Sequence, residues 1–89
     1  VRVDLFLKLA GLLRTRSIAE KACEGGFVSL NGRAAKPSSR LKPGDEVSAM
    51  LPDGRTVVII VKELPAGRSV PKSERASLYS VISEEAAGR

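Results

Sequence analysis

The chain has no histidine, no tryptophan and a single cysteine in 89 residues, and these gaps narrow its chemistry before any motif is considered. With no histidine and with Cys23 unpartnered, neither a disulfide framework nor a Cys/His zinc site can form within the chain. The longest unbroken aliphatic run, Val57 to Val61, is five residues, far too short to span a bilayer. The opening VRVDLFLKLAGLL is interrupted by Asp4 and Lys8, and no small-residue cleavage pattern follows it, so it reads as part of the fold and not as a signal peptide. A soluble protein in a reducing, cytoplasmic setting is expected, without cofactor or metal.

Catalysis is also short of parts. A nucleophile needs a base, and lysine is the only candidate base near Cys23, which therefore reads as a small buried hydrophobe on a helix. The acidic pairs Asp45-Glu46 and Glu84-Glu85 fall in a turn and a tail and read as solvated charge. No phosphate-loop spacing of glycines occurs, because Gly25-Gly26 closes a helix and does not open one. The chain is not expected to be an enzyme.

Charge of one sign is scarce in the first half. Residues 1–42 hold nine basic groups against three acids, whereas residues 43–89 hold six against seven. A net +5 distributed this way points to a polyanionic partner for the first half. The 28% charged content is ordinary for a globular domain, and the length suits one domain with one modest core.

The apolar residues Leu5, Phe6, Leu9, Leu12 and Leu13 recur at three- and four-residue steps, predicting a first helix that starts near Asp4. Ser17-Ile18-Ala19-Glu20 matches a capping box, so a second helix of about two turns is expected from Ser17, with Ile18, Ala22 and Cys23 inward and Gly25-Gly26 as its stop. Phe27 to Leu30, the turn Asn31-Gly32 and Arg33 to Lys36 predict a hairpin ended by Pro37. Lys42-Pro43-Gly44-Asp45 is a turn. Val47, Ala49 and Leu51 alternate inward, Pro52-Asp53-Gly54-Arg55 turns, and Thr56 to Val61 returns as a β-branched strand. The segment PAGRSVPKSE reads as a linker or surface loop, Ser73 as the cap of a short helix through Tyr79, Ser80-Val81-Ile82 as an edge strand or core cover, and Glu84 to Arg89 as frayed.

Arg14 and Arg16 precede the second helix, where their charge meets the positive end of its dipole. Folding gains nothing from that placement. A phosphate would gain from all of it together: free amides, dipole, the Thr15 and Ser17 hydroxyls and two guanidinium forks. Lys21 lies a turn further on, and Arg2 and Lys8 extend the patch if the helices pack side by side. An acidic membrane is disfavoured as the polyanion, since the leucines fit a core and tryptophan is absent. With both phenylalanines at expected core positions, base stacking is not expected, and recognition falls to backbone and shape.

The segments RVDLFLK, RTRSIAEKACEGGFVSLNG and KPSSRLKPGDEV, in that order and spacing over residues 2–47, resemble the S-four (S4) RNA-binding domain. The resemblance implies an α+β fold: two packed N-terminal helices against a small curved, mostly antiparallel sheet, with residues 1–64 as the domain with its second hairpin and 65–89 as a partly ordered C-terminal extension. Carried over by position, Arg2, Lys8, Arg14, Thr15, Arg16, Ser17 and Lys21 form the helical RNA face, and Asn31, Gly32, Lys36, Ser38 and Ser39 its hairpin flank. Asp4 is the exception, an acid whose expected role is to cap the first helix or orient an arginine. Leu5 and Thr15 stand where many relatives are basic. The second hairpin DEVSAMLPDGRTVVIIVKEL and the ending ERASLYSVISEE resemble the small stand-alone members of the family. Those imply binding to structured RNA, the large ribosomal subunit with its ribosomal RNA and peptidyl-tRNA, and assistance to a factor that tails stalled chains; a monomer is expected. Recycling of blocked large subunits, as by heat-shock members, and a protein-interaction adaptor are the alternatives.

Overall fold

The computed structural model describes residues 1–65 and 70–85. Helix α1 spans Val3–Leu9 and α2 spans Arg16–Glu24. Strands β1 (Val28–Leu30), β2 (Arg33–Ala34), β3 (Glu46–Met50), β4 (Thr56–Val61) and β5 (Tyr79–Glu85) form one antiparallel sheet in the order β2-β1-β3-β4-β5. A 3-10 helix, Lys72–Leu78, leads into β5.

The helix stripe predicted to run on to Leu13 stops early, because Gly11 takes a φ of +80° that a helix cannot continue through. The buried face of α1 is Val3, Phe6 and Leu7, all without exposed surface, joined by Leu9, Ala10 and Leu13. Leu5 and Leu12 are only half-buried. On α2 the inward residues are Ala19 and Cys23, and Ile18 is exposed. The expectation that Ile18 faces the core fails: the helix starts at Arg16, two residues earlier than a Ser17 cap gives, and its buried stripe is Ala19 and Cys23 at the four-residue step.

The sheet obeys its period of two. Val47 and Ala49 on β3 face the core opposite Ile59 and Val57 on β4, and Val61 continues the row. Asn31 (φ +52°) and Gly32 (φ +85°) make the left-handed pair that a tight hairpin needs between β1 and β2. Two readings of the C-terminal segment change. Glu84 and Glu85 belong to β5, paired with Val57 and Thr56, and are not frayed. The 3-10 helix contributes Leu78 to the core, with Pro71 preceding it in place of a Ser73 cap. Residues 86–89 and 66–69, read from sequence as tail and loop, lie outside the described residues.

Phe27 is the largest departure in the core. The sequence places it inside, yet it is 51% exposed, while its neighbour Val28 is fully buried. Alternation on a strand forces one of the pair outward, and β1 opens at Val28.

Candidate nucleic-acid interface

The site is built around a buried carboxylate. Asp4 is the second residue of α1 and has no exposed surface. Its Oδ1 accepts from the Leu5 backbone N–H at 2.7 Å, satisfying a donor that the first turn leaves free. Its Oδ2 accepts from Arg2 Nη2 at 3.0 Å and from Arg16 Nε at 3.5 Å. One acid thus joins the start of α1 to the start of α2 and holds two guanidinium groups side by side. Both arginine side chains remain part-exposed, at 39% and 44%. Arg16 spends its Nε inward and keeps its two terminal nitrogens for an outside partner. Asp4 therefore orients arginines, as expected, and supports a backbone donor within α1; the residue preceding the helix, Arg2, makes no side-chain cap.

The cap of α2 is Thr15, not Ser17. Thr15 has the extended backbone of a capping residue (φ −134°, ψ 160°), and its Oγ1 accepts from Ile18 N at 3.1 Å. The capping-box pattern misplaces the start by two residues because Thr-x-x-Ile offers the same backbone donor with a hydroxyl already in place. Ser17 is consequently an exposed residue of the first turn, with its hydroxyl uncommitted among the described residues, and Thr15 keeps its O–H as a donor. Arg16 sits at the first helical position, where the dipole opposes its charge.

A second strand of the chain is sewn to this corner. Val3 N donates to Ser39 O at 2.8 Å, Leu41 N to Val1 O at 2.9 Å, and Arg2 bridges antiparallel to Arg40. The turn is closed by Lys36 N on Ser39 Oγ at 3.0 Å and Ser39 N on Lys36 O at 2.9 Å. Lys36 and Ser38 are exposed on it, and Ser39 is half-buried with its hydroxyl already accepting. Arg40, whose only sequence signal is its place at the end of KPSSR, thereby lies exposed across the bridge from Arg2.

Other expected site residues stand apart from this centre. Lys8 and Lys21 are exposed on α1 and α2. Arg14 lines a depression with Gly11, Leu13 and Pro52, and Lys21 lines a neighbouring groove with Phe27 and Met50. Gly32 is exposed at the hairpin tip. The Asn31 side chain is committed to the fold: its Nδ2 donates to Asp45 Oδ1 at 3.2 Å and its Oδ1 accepts from Glu46 N at 2.9 Å. Asp45, read from sequence as solvated, is buried and also accepts from Lys42 N at 3.0 Å. A turn acid and a hairpin asparagine clamp β1 to β3 in this way, a pairing across fourteen residues that no local pattern displays.

Two further groups have defined chemistry. Burial, reinforced by the Asp4 and Glu24 carboxylates, pushes the Cys23 thiol up to about 11, so it stays protonated near neutrality. At the β3–β4 turn, Arg55 bridges Asp53 at 2.8 Å and Glu84 at 2.6 Å, so Glu84 is an ion-pair partner of that turn. The Arg55 backbone N–H, with its guanidinium, holds Asp53 below the usual carboxylate range. Among the described residues no helix is long and apolar enough to cross a membrane.

Comparison with known proteins places this geometry. The S4 domain pattern matches residues 1–47, which hold Asp4, both of its arginines, the α2 cap and the first hairpin. A Bacillus subtilis (strain 168) protein named RQC P-site tRNA stabilizing factor is 36% identical over 88 residues, 99% of each chain. Heat shock protein 15 of Escherichia coli (strain K12) is 39% identical over 94% of this chain and 62% of its own length. Among solved structures, the trimeric structure of Vibrio cholerae heat shock protein 15 superposes with a TM-score of 0.82 at 32% identity, covering 92% of this chain and 81% of that one. The solution structure of the hypothetical protein HP1423 gives 0.78 at 32% identity, covering 96% of this chain and all of that one. On its sequence and on its fold, this chain belongs to the S4 domain family.

Proposed function

We propose that the chain is a non-enzymatic RNA-binding factor of the large ribosomal subunit, engaging ribosomal RNA and peptidyl-tRNA as a monomer and supporting the tailing of stalled nascent chains. The observation that carries this is the buried Asp4, which holds Arg2 and Arg16 together and outward beside Arg40 at the start of α2. One carboxylate facing inward leaves an excess of cation facing outward, and phosphates complete the arrangement. The match to an RQC P-site tRNA stabilizing factor over 99% of both chains supports peptidyl-tRNA as the ligand over the recycling activity of heat-shock relatives, whose chain is longer.

Affinity for structured RNA is expected to fall with salt, with a slope of log affinity against log salt of roughly −3 to −5 for four to six phosphate contacts. Arg16→Ala is expected to weaken binding to unrelated RNA sequences alike and to reduce the slope by about 1. Co-sedimentation with large subunits carrying peptidyl-tRNA, but not with empty subunits, is the decisive measurement. Salt-independent binding, or recovery only in the free pool, would overturn the proposal.

A further inference from the structure

A groove of about 380 Å³ lies between α2 and the β3–β4 turn, and its walls include Ile18, Lys21, Phe27, Met50 and Leu51. Its size suits a small ligand group. Of the five large hydrophobics exposed among the described residues, Ile18, Phe27 and Met50 converge here, whereas Val81 and Ile82 lie on β5. Phe27 is fixed from two sides: its N–H donates to Ala22 O and its carbonyl accepts from Met50 N, both at 2.9 Å. Its ring rests on Gly25, where an added methyl would come within 2.8 Å of Cε2 and 2.9 Å of Cδ2. The bare backbone at the end of α2 thus makes room for the ring, which lines the groove.

Charge completes the picture. Lys21 lines the groove, and an adjoining depression of about 410 Å³ shares Leu13, Leu51 and Pro52 with it and carries Arg14. Neither Lys21 nor Arg14 forms an ion pair among the described residues, while the nearby acid, Asp53, is held by Arg55. An apolar protein segment would fill the floor and leave these cations unmatched. A nucleotide matches both, offering a π-face to the phenyl ring and flanking phosphates to the cations.

We infer that this groove takes one unpaired base of the bound RNA, stacked on Phe27, with the neighbouring phosphates on Lys21 and Arg14. This rests on the RNA-binding reading and adds to it a preference for RNA that offers a splayed base.

The test uses the full chain and two RNA duplexes of equal length, one fully paired and one with a single unpaired adenosine. Phe27→Trp gives the chain its only tryptophan. Wild type and Phe27→Trp are expected to bind the bulged duplex about tenfold tighter than the paired one, and only the bulged RNA is expected to quench the tryptophan. Phe27→Leu keeps the apolar contact without a π-face, and is expected to bind both duplexes equally with an unchanged salt slope. Full bulge preference in Phe27→Leu would overturn the inference. So would equal binding of both duplexes by wild type, which leaves the phosphate reading standing if the salt slope persists; loss of salt-dependent binding to both defeats that reading as well. Subunit binding that survives Phe27→Leu but not Phe27→Ser, with RNA affinities unchanged, would assign the groove to a protein.

Discussion

Replacing Asp4 by asparagine separates positioning from charge counting. The substitution keeps an acceptor for the Leu5 N–H and removes the negative charge between Arg2 and Arg16. Truncating one partner of a fully buried ion pair costs roughly 3–5 kcal/mol, because the other charge is stranded. That full penalty does not apply here, since both guanidinium groups reach solvent. What is lost is one good charge-assisted hydrogen bond at 3.0 Å and a marginal one at 3.5 Å, a cost of about 1–2 kcal/mol after allowing for exposure. For a domain of this size that lowers the melting midpoint by about 5–15 °C. Asp4→Ala also leaves the Leu5 N–H without its acceptor, bringing the loss to about 2–4 kcal/mol. Thermal melts and RNA titrations at fixed salt on the same samples supply the assay. Counting charge alone, Asp4→Asn raises the net charge by one and tightens RNA binding. If the carboxylate acts by holding two forks in register, binding weakens instead, and Arg2 and Arg16 repel one another. Tighter binding with an unchanged melting midpoint would refute the reasoning.

Thr15→Ala is expected to destabilise by about 1 kcal/mol, a drop of about 4–8 °C in the melting midpoint, whereas Ser17→Ala leaves stability nearly unchanged; equal effects would restore Ser17 as the cap. Cys23 supplies a pH dependence. Its folded thiol ionises only near 11, while the unfolded one ionises at about 8.5, so its contribution is fully present below the unfolded value and is lost as pH rises toward 11. Urea midpoints for wild type are expected to fall more steeply across that window than those for Cys23→Ala; parallel curves would place the thiol in solvent. Gly32→Val forces a β-branched residue to a φ of +85° and is expected to cost about 1–3 kcal/mol by the same melt, with register loss in the first hairpin visible as faster amide exchange at Leu30.

Much of the fold was legible because it follows local rules. Asn31-Gly32 suits a two-residue left-handed turn, so the turn of the first hairpin was legible to the residue, while its strands are shorter than the pattern predicts. The alternation Val47, Ala49, Leu51 and the β-branched run to Val61 set the second hairpin and its inward face. The polyanion-binding character of the first half followed from charge distribution, and the resemblance over residues 2–47 corresponds to the S4 domain match over 1–47.

Where local rules compete, the sequence alone does not choose. Two hydroxyl residues, Thr15 and Ser17, each satisfy a capping pattern, and backbone entry from the preceding loop selected Thr15. Phe27 and Val28 are adjacent hydrophobes at the start of a strand that buries one face; the core took Val28 and left Phe27 to solvent, which turned an assumed core residue into the wall of a groove. Glu84 acquired a partner only because β5 pairs with β4 and brings it to Arg55.

By itself the sequence determined the element types, the turns and the sign of the partner, since each depends on neighbours within a few residues or on a sum over charges. Only the tertiary structure decided that Asp4 grips Arg2 and, from the start of α2, Arg16, that Asn31 locks onto Asp45, and that Arg14 lines a depression adjoining the groove of Lys21 and Phe27. The Asp4–Arg16 and Asn31–Asp45 contacts join residues twelve and fourteen positions apart, and their partners are fixed by how the core packs.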